Sequence, residues 1–318
     1  MSATQYTAEE LKLLNAELCE KLASNDDTMF KQGASQVDDF TRFRVREDGV
    51  SRRIIPYIPI TDADLDRDYR TTKPIKIVDM ENDVPAAVTI PFEHTPSILY
   101  LRTDRYPVQF ARIATEKFVV DVDTLRTCVM DVRQVTSDNA IREILTEEDS
   151  RWFTASNRAV GTAGQATLTA GTVQWAQLRG GLSRDNYIES LKYLPMTPSR
   201  LEAHVAVMNN LTVKDFMKWG RNEWGGDISA DIMKQGWSME KVAGPIIITT
   251  IKHTLVPSGT VFYYGDPKFI GKAYELEATT LHAKRELWFV EFCAAELIGG
   301  TLANTNSCVR VDFINNPN

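Results

Sequence analysis

Residues 259 to 267 read GTVFYYGDP, a run of β-branched and aromatic residues enclosed by glycines. Such a run between turn-forming residues is typical of a buried β-strand. The runs Ala203–Met208 and Ile246–Ile251 have the same apolar character. We therefore predict three strands here, and we expect Pro257, Ser258 and Gly259 to form the turn that precedes the strand at 260–264.

The rest of the C-terminal half alternates strands with short helices. Leu287–Phe292 predicts a further strand, and the strict alternation of Ser307–Phe313 predicts a last one. After the turn at 209–211, Thr212 is expected to cap a short helix that ends at Trp219, and a second short helix is expected at about 228–235. Mixed helices and strands place the chain in the α+β class. His204 is expected to be a hydrogen-bonded residue of the core or of an interface.

The middle of the chain predicts one long helix. Residues 123–158 have helical periodicity, and Ser137 and Asp138 mark a point where the helix could break. Five apolar residues form its core stripe: Ile141, Ile144, Leu145, Trp152 and Phe153. Acidic side chains at 147–149 are expected on the solvated face, so no catalytic carboxylate pair is inferred from them. The glycine-rich stretch that follows, up to about residue 184, predicts a loop or a short hairpin.

The N-terminal 115 residues have an unusual texture. Residues 7–23 predict an amphipathic helix, which Thr7 and Glu10 cap and whose stripe is Leu11, Leu14, Leu18 and Leu22. A polar tether follows at 24–40. Seven prolines then interrupt residues 50–115 and leave extended pieces between them, namely 54–55, 75–78, 87–90 and 98–101. Such segments are stable when they lie against another chain, so we expect their partners to be other subunits.

Charge and motifs argue against several functions. The net charge of −7 does not fit a dedicated nucleic-acid binder. The local cluster of Arg42, Arg44, Arg46, Arg52 and Arg53 is interpreted either as solvated or paired with acids, or as a contact to nucleic acid or to an acidic neighbouring subunit. No apolar run approaches the ~20 residues of a membrane span, and residues 1–5 do not resemble a secretory signal. We therefore expect a protein that is made and used in a cytoplasm.

No catalytic, cofactor-binding or metal-binding residue is predicted, and we do not expect an enzyme. His94, His204, His253 and His282 fall in no metal-binding motif, and neither a nucleophile elbow nor a phosphate-binding glycine motif is present. Cys19, Cys128, Cys293 and Cys308 are scattered and are expected to be reduced. Asp62, Asp64, Asp66 and Asp68 have the spacing of a calcium loop, but Arg67 and Lys73 occupy the positions that need glycine and glutamate, so a solvated acidic loop is expected.

The order of these elements, from tethered helix to final strand, resembles the Hong Kong 97-type major capsid fold of tailed phages and encapsulins. The stretches that carry the resemblance are Glu147–Gly161, Val207–Thr212, Gly259–Pro267, Glu291–Gly299 and Val309–Phe313. It covers roughly residues 40–314 and is strongest after residue 200. It implies an N-terminal arm (1–45), an extended β loop with flanking strands (46–115), a peripheral domain with a long spine helix (116–195), an apical domain (196–300) and a C-terminal strand that returns to the peripheral domain (301–318).

The resemblance also implies a function. The chain would self-assemble into pentamers and hexamers of an icosahedral phage head that encloses double-stranded DNA, with non-specific DNA contacts and no membrane. It would be found in the virion capsid after assembly in the host bacterial cytoplasm. A portal and decoration proteins would be partners. Because the capped helix begins at residue 7, no cleaved scaffolding segment is expected, and a separate scaffolding protein, or none, is implied. Covalent cross-linking between Lys73 or Lys76 and Asn304 or Asn306 is not predicted.

Three other interpretations stay open from the sequence. An encapsulin-type shell around a cargo enzyme has the same fold, although the long proline-rich loop region argues against it. A soluble α+β enzyme with a proline-rich lid would be a monomer or small oligomer with a polar pocket. A tail-tube or other virion protein would form rings or tubes instead of shells.

Overall fold

The structure, a computed structural model, describes residues 49–67, 72–81, 103–127, 132–164, 173–219, 241–286 and 288–314, with short pieces at 16–17, 20–22, 28–29 and 32. The predicted extended pieces at 87–90 and 98–101, the predicted helix at 228–235 and most of the predicted helix at 7–23 lie outside these residues.

The described helices and strands are numbered along the chain. The helices are α1 (Val50–Ile54), α2 (Val122–Thr127), α3 (Val132–Val160), α4 (Arg184–Leu191), α5 (Asn210–Phe216) and α6 (Pro267–Ile270). The strands are β1 (Tyr57–Pro59), β2 (Ile75–Glu81), β3 (Thr103–Gln109), β4 (Ala111–Ala114), β5 (Phe118–Asp121), β6 (Trp175–Arg179), β7 (Val205–Asn209), β8 (Ile246–Thr250), β9 (Thr260–Tyr264), β10 (Lys272–Glu286), β11 (Phe289–Thr301) and β12 (Cys308–Ile314). The mixture confirms the α+β class.

The chain divides into two compact units. The first contains Met1–Ile60, Ala111–Thr154 and Tyr274–Ile298, and the second contains Thr61–Phe110, Ala155–Ala273 and Gly299–Asn318. The five segments expected from the sequence divide the chain at other positions and stay a prediction. The last strand pairs with β6 in parallel and with β9 antiparallel, and these partners come from the segments 116–195 and 196–300 respectively.

The first unit is a sheet with the order β1-β10-β11-β4, in which β5 also pairs with β11. Strand β11 alternates strictly, and its buried side chains Val290, Phe292, Ala294 and Ile298 pack with Ile144 of α3. Its pairing with β4 and β5 is antiparallel. This alternation creates one apolar face, which the helix covers.

Leu22, the last leucine of the predicted N-terminal stripe, is fully buried in the core of this same unit. The expectation that the stripe needs a neighbouring subunit is therefore wrong for this residue. A stripe in the sequence shows that a partner surface is needed, but it does not show which chain provides that surface.

The second unit is built around a sheet with the order β6-β12-β9-β7-β8. All residues of β7 and β9 are buried, which confirms the expectation of buried strands at these two runs. An aromatic cluster of Tyr187, Phe216 and Trp219 packs on this sheet. The ring centroids of Tyr187 and Phe216 are 5.3 Å apart, and those of Phe216 and Trp219 are 4.7 Å apart. Edge-to-face contacts of this kind stabilise a core beyond the area that they bury.

The same unit includes a two-stranded ribbon. Strands β2 and β3 pair antiparallel in a single register from Ile75 opposite Gln109 to Glu81 opposite Thr103. This confirms the extended piece predicted at 75–78. Pro107 lies within β3, where a two-stranded ribbon leaves room for a residue without an N–H donor.

Several sequence-based expectations need correction. Ile54 is not extended, since it ends α1, and Ile55 is the extended residue after it. Helix α3 continues through Ser137 and Asp138 without a break. His204 is exposed and precedes β7, so it is not a core residue, and the hydrogen bonds between it and Tyr264 and Ile246 are backbone bonds. Its place at an interface stays a prediction. Strands β6 and β10 and helix α4 were not anticipated, because their apolar positions are few and their partners are distant in the sequence.

Asn209, and not Thr212, caps α5. Its side-chain oxygen accepts a hydrogen bond from the Leu211 amide (2.9 Å), and its amide nitrogen donates to the Val256 carbonyl (3.0 Å) and contacts the His253 ring. We expect Asn209→Ala to lower the free energy of unfolding by about 2 kcal/mol, because a cap and a buried hydrogen bond are lost together. Urea unfolding monitored by circular dichroism measures this. An unchanged midpoint would contradict the assignment of the cap.

Candidate assembly site: a buried arginine-carboxylate cluster and the β2–β3 ribbon

Arg52 of α1 lies in a nest of carboxylates inside the first unit. Its Nη2 atom is 2.6 Å from Glu148 Oε1 on α3 and 3.0 Å from Glu296 Oε2 on β11, and its Nε lies 3.1 Å from Glu148 Oε1. Glu275 of β10 is 3.8 Å away. The side chains of Glu148 and Glu296 are completely buried, and that of Arg52 is 8% exposed. One guanidinium thus joins a short helix, the long helix and the sheet.

Further contacts hold the same chain segment. The Ser51 amide donates to Asp149 Oδ1 (2.9 Å), and the Ile60 amide donates to the Glu275 carbonyl (3.0 Å). The Arg52 guanidinium lies 5.0 Å from the centroid of the Tyr57 ring, within the range of a cation–π contact. The segment from Gly49 to Ile60 is therefore attached at three places along its length.

The cluster shifts the pKa of its members. Burial, the charge of Glu148 and a hydrogen bond with it together raise the pKa of Glu296 to about 8, against the opposing effects of Arg52 and Thr279. Burial alone would lower the pKa of Arg52, but the hydrogen bond and charge of Glu148 raise it above its ordinary value, so the guanidinium stays charged. Burial and the charge of Glu148 also raise the pKa of Tyr57. A protonated glutamic acid beside a charged arginine is the expected state at neutral pH.

The predicted solvated face at 147–149 is correct only in part. Glu147 is exposed and pairs with Arg151, whereas Glu148 and Asp149 are buried. The sequence held a signal for this difference, because positions 148 and 149 follow Leu145 by three and four residues and so continue the buried stripe. Glu296 likewise occupies the buried phase of the alternation in β11.

The structure tests the interpretation of the arginine cluster at 42–53 for only two of its members, Arg52 and Arg53. Arg52 is paired with acids, which was one of the two interpretations, and Arg53 is exposed. Arg42, Arg44 and Arg46 lie outside the described residues, so their contact with nucleic acid or with a neighbouring subunit stays a prediction.

The β2–β3 ribbon presents a mixed surface. Ile77 is 36% exposed, the residue opposite it, Pro107, is also exposed, and Arg105 pairs with Asp79 at 3.0 Å. Two acidic residues of the preceding loop bind the backbone: Asp64 accepts from the Thr61 amide (3.0 Å), and Asp66 accepts from the Ile77 amide (2.7 Å). Asp68 lies outside the described part of the chain. Within that part, no three potential metal ligands come together.

The other residues considered from the sequence are dispersed. Of the histidines, His253 contacts Asn209 and His282 contacts Thr280, while His94 lies outside the described ranges. Cys293 and Cys308 are free thiols, and burial raises the pKa of Cys308 to about 12. Asn304 caps a short 3-10 turn at Thr305–Ser307, Asn306 lies within that turn, and Lys76 pairs with Asp66. Among the described helices, none is long and apolar enough to cross a membrane.

Comparison with solved structures identifies the fold. A chain from the capsid of a native GTA particle superposes with a TM-score of 0.57 and 13% identity, over 82% of this chain and 89% of that one. The bacteriophage PhiM1 mature capsid gives a TM-score of 0.54 and 11% identity over 85% and 88% of the two chains. The chain has the Hong Kong 97-type capsid fold. A structure from Mycobacterium phage Ogopogo agrees, with a TM-score of 0.57 and 10% identity over 84% and 92%.

This fold assignment confirms the resemblance inferred from the order of elements. No family model and no curated protein matches the sequence, so among the comparisons only the one with solved structures detects the fold. At such low identity a fold can persist while specific surfaces change, and the function must be argued separately.

Proposed function

We propose that this chain is the major capsid subunit of a tailed phage, a structural protein that assembles into pentamers and hexamers around double-stranded DNA. The observation that carries the proposal is the capsid fold itself, which extends over more than four fifths of the chain in its similarity to phage and particle capsids. A fold-level likeness is an analogy, and the features below support it independently.

The first supporting feature is the β2–β3 ribbon. Within the chain only one face of this ribbon is covered, because Val78 and Val108 are buried whereas the residues next to them in each strand are exposed. Here Ile77 and Pro107 are exposed opposite each other, while the charged pair Arg105 and Asp79 lies next to them. An apolar centre beside an ion pair suits a surface that is covered by a second copy of the same chain.

The second supporting feature is the way the ribbon segment is attached. Residues 61–110 follow β1 and precede β4, which are the two outer strands in the sheet order of the first unit. The arginine-carboxylate cluster fixes the chain just before residue 61. A segment that must reach a neighbouring subunit needs a rigid origin, because ordering a freely mobile segment at an interface costs conformational entropy.

The proposed partners follow from this role. They are other copies of the chain, a portal, separate scaffolding or decoration proteins, and DNA held by non-specific contacts. The proposed location is the virion capsid, with assembly in the cytoplasm of the bacterial host. Catalysis has no part in this role.

We expect Ile77→Lys to reduce assembled particles by at least tenfold, because it places a charge at the centre of the proposed contact. The matched control is Gln109→Lys, which adds the same charge to the same ribbon at an exposed polar position. Sedimentation velocity separates subunits from shells, and circular dichroism confirms that both variants are folded. Equal assembly of the two variants would refute a role for the ribbon in subunit contact.

A further inference from the structure

The buried cluster in the first unit contains more acid than base. Glu148 and Glu296 both lie within 3.0 Å of the same nitrogen of Arg52, and both are completely buried. Two carboxylates that share one guanidinium nitrogen repel each other strongly when both are ionised in a medium of low polarity. A single proton on one of them removes that repulsion and leaves a neutral arginine-carboxylate pair.

The geometry indicates where this proton lies. Glu296 Oε2 accepts hydrogen bonds from Arg52 Nη2 (3.0 Å) and from Thr279 Oγ1 (2.9 Å). Its other oxygen, Oε1, is buried and has no donor among the described residues. A buried oxygen without a hydrogen bond is costly. A proton on Oε1 turns this atom into a donor that can bond to Glu148.

We propose that Arg52, Glu148 and Glu296 form a proton-dependent latch on the segment Gly49–Ile60, closed when one proton is held between the two glutamates and loosened when that proton is lost. Arg52 is the positioning residue of this latch. Hydrogen bonds and ion pairs of Arg52, Ser51 and Ile60 attach the short elements α1 and β1, together with the burial of Val50, Ile54 and Ile55. The proposal rests on the proposed function in one respect only, which is that residues 61–110 reach another subunit.

Two further acidic side chains and one tyrosine lie next to the latch. Glu275 on β10 and Asp149 on α3 add negative charge, and Tyr57 on β1 stays neutral. The raised pKa of Glu296, about 8, agrees with this surplus of acid. When the segment detaches, Glu296 becomes solvated and its pKa returns towards that of an ordinary glutamate.

The sign of the pH dependence follows from linkage. Between the pKa of the solvated glutamate and that of the buried one, the closed latch holds a proton that the open form releases. Opening is therefore favoured as pH rises through this window and levels off above about pH 8. In a capsid subunit, the attachment of residues 49–60, which precede the segment 61–110, would be more stable in mild acid than at alkaline pH.

Hydrogen exchange of the full chain, corrected for the intrinsic exchange rate at each pH, tests the latch. For amides of residues 50–60 we expect the opening constant to rise at least tenfold from pH 5.5 to pH 8 and then to level off. Glu296→Gln, which imitates the protonated side chain, is expected to change less than twofold over this range. The matched control is Glu291→Gln, which makes the same change on the same strand as Glu296 but in the ion pair with exposed Lys117. This variant is expected to behave like the unmodified protein.

Infrared spectroscopy gives a second measurement if the exchange of these amides is too fast. A carboxylic acid C=O band should persist at pH 7 in the unmodified protein and disappear in Glu296→Gln and in Glu148→Gln. A flat opening constant in the unmodified protein, or the same slope in Glu296→Gln, would overturn the latch. Electron microscopy of the same samples distinguishes the failure of the latch from the failure of the proposed capsid function. Shells whose opening constant does not depend on pH would contradict only the latch. A pH-dependent opening constant without shells would contradict only the capsid function.

Discussion

Replacing Arg52 with methionine is expected to lower the free energy of unfolding by about 3–5 kcal/mol, the cost typical of breaking a buried ion pair. The substitution keeps most of the apolar volume but leaves Glu148 and Glu296 buried together without a positive charge. Equilibrium unfolding in urea at pH 7.5 measures the loss.

Two variants control this experiment. Arg53→Met changes the adjacent arginine, which is exposed, and is expected to alter stability by less than about 0.5 kcal/mol. Combining Arg52→Met with Glu148→Gln and Glu296→Gln removes the uncompensated charges and should recover most of the stability, as other buried ion clusters do when they are replaced as a whole. Equal effects of Arg52→Met and Arg53→Met would show that the cluster does not hold α1.

The second large effect is expected at Gly271, between α6 and β10. A Cβ atom added there would lie 2.1 Å from the Thr301 carbonyl oxygen and 2.9 Å from the Ala303 amide nitrogen. Both obstacles are backbone atoms and cannot move aside as a flexible side chain can. We therefore expect Gly271→Ala to destabilise the protein by about 3 kcal/mol, at the upper end of what overpacking costs.

Gly300 provides the matched control, because the nearest atom to an added Cβ is the Ala273 Cβ, at an ordinary contact distance of 3.8 Å. Gly300→Ala is expected to be neutral or slightly stabilising, since alanine loses less conformational freedom on folding than glycine does. Thermal unfolding of the two variants measures the difference. Similar melting temperatures would contradict the close approach of the backbone at Gly271.

The strands that sequence reasoning found are those whose own residues specify them. The buried runs that became β7, β8 and β9 are continuous and apolar, and β12 alternates strictly. Strand β10 was missed because only a minority of its side chains are buried. Its extended form depends on pairing with β1 and β11, and β1 lies more than two hundred residues away along the chain. Pairing of this kind is non-local and leaves a weak local pattern.

The buried cluster shows a second limit of the sequence. Helical phase could have placed Glu148 and Asp149 inside, and strand phase could have placed Glu296 inside, but charged residues are rarely fully buried. Only the fold reveals that Arg52, almost a hundred residues before Glu148, pairs with both Glu148 and Glu296. The fold itself was predicted from the order of elements, which survives when individual motifs do not.

Electron microscopy of the purified protein shows whether copies of this chain form a closed shell. We expect closed icosahedral particles in which pentamers and hexamers of the chain can be resolved, with the β2–β3 ribbon of one subunit lying on its neighbour. DNA inside particles from infected cells would favour the phage head over an encapsulin with a protein cargo. A stable monomer of 35.9 kDa at high protein concentration, without shells or capsomers, would rule out this role.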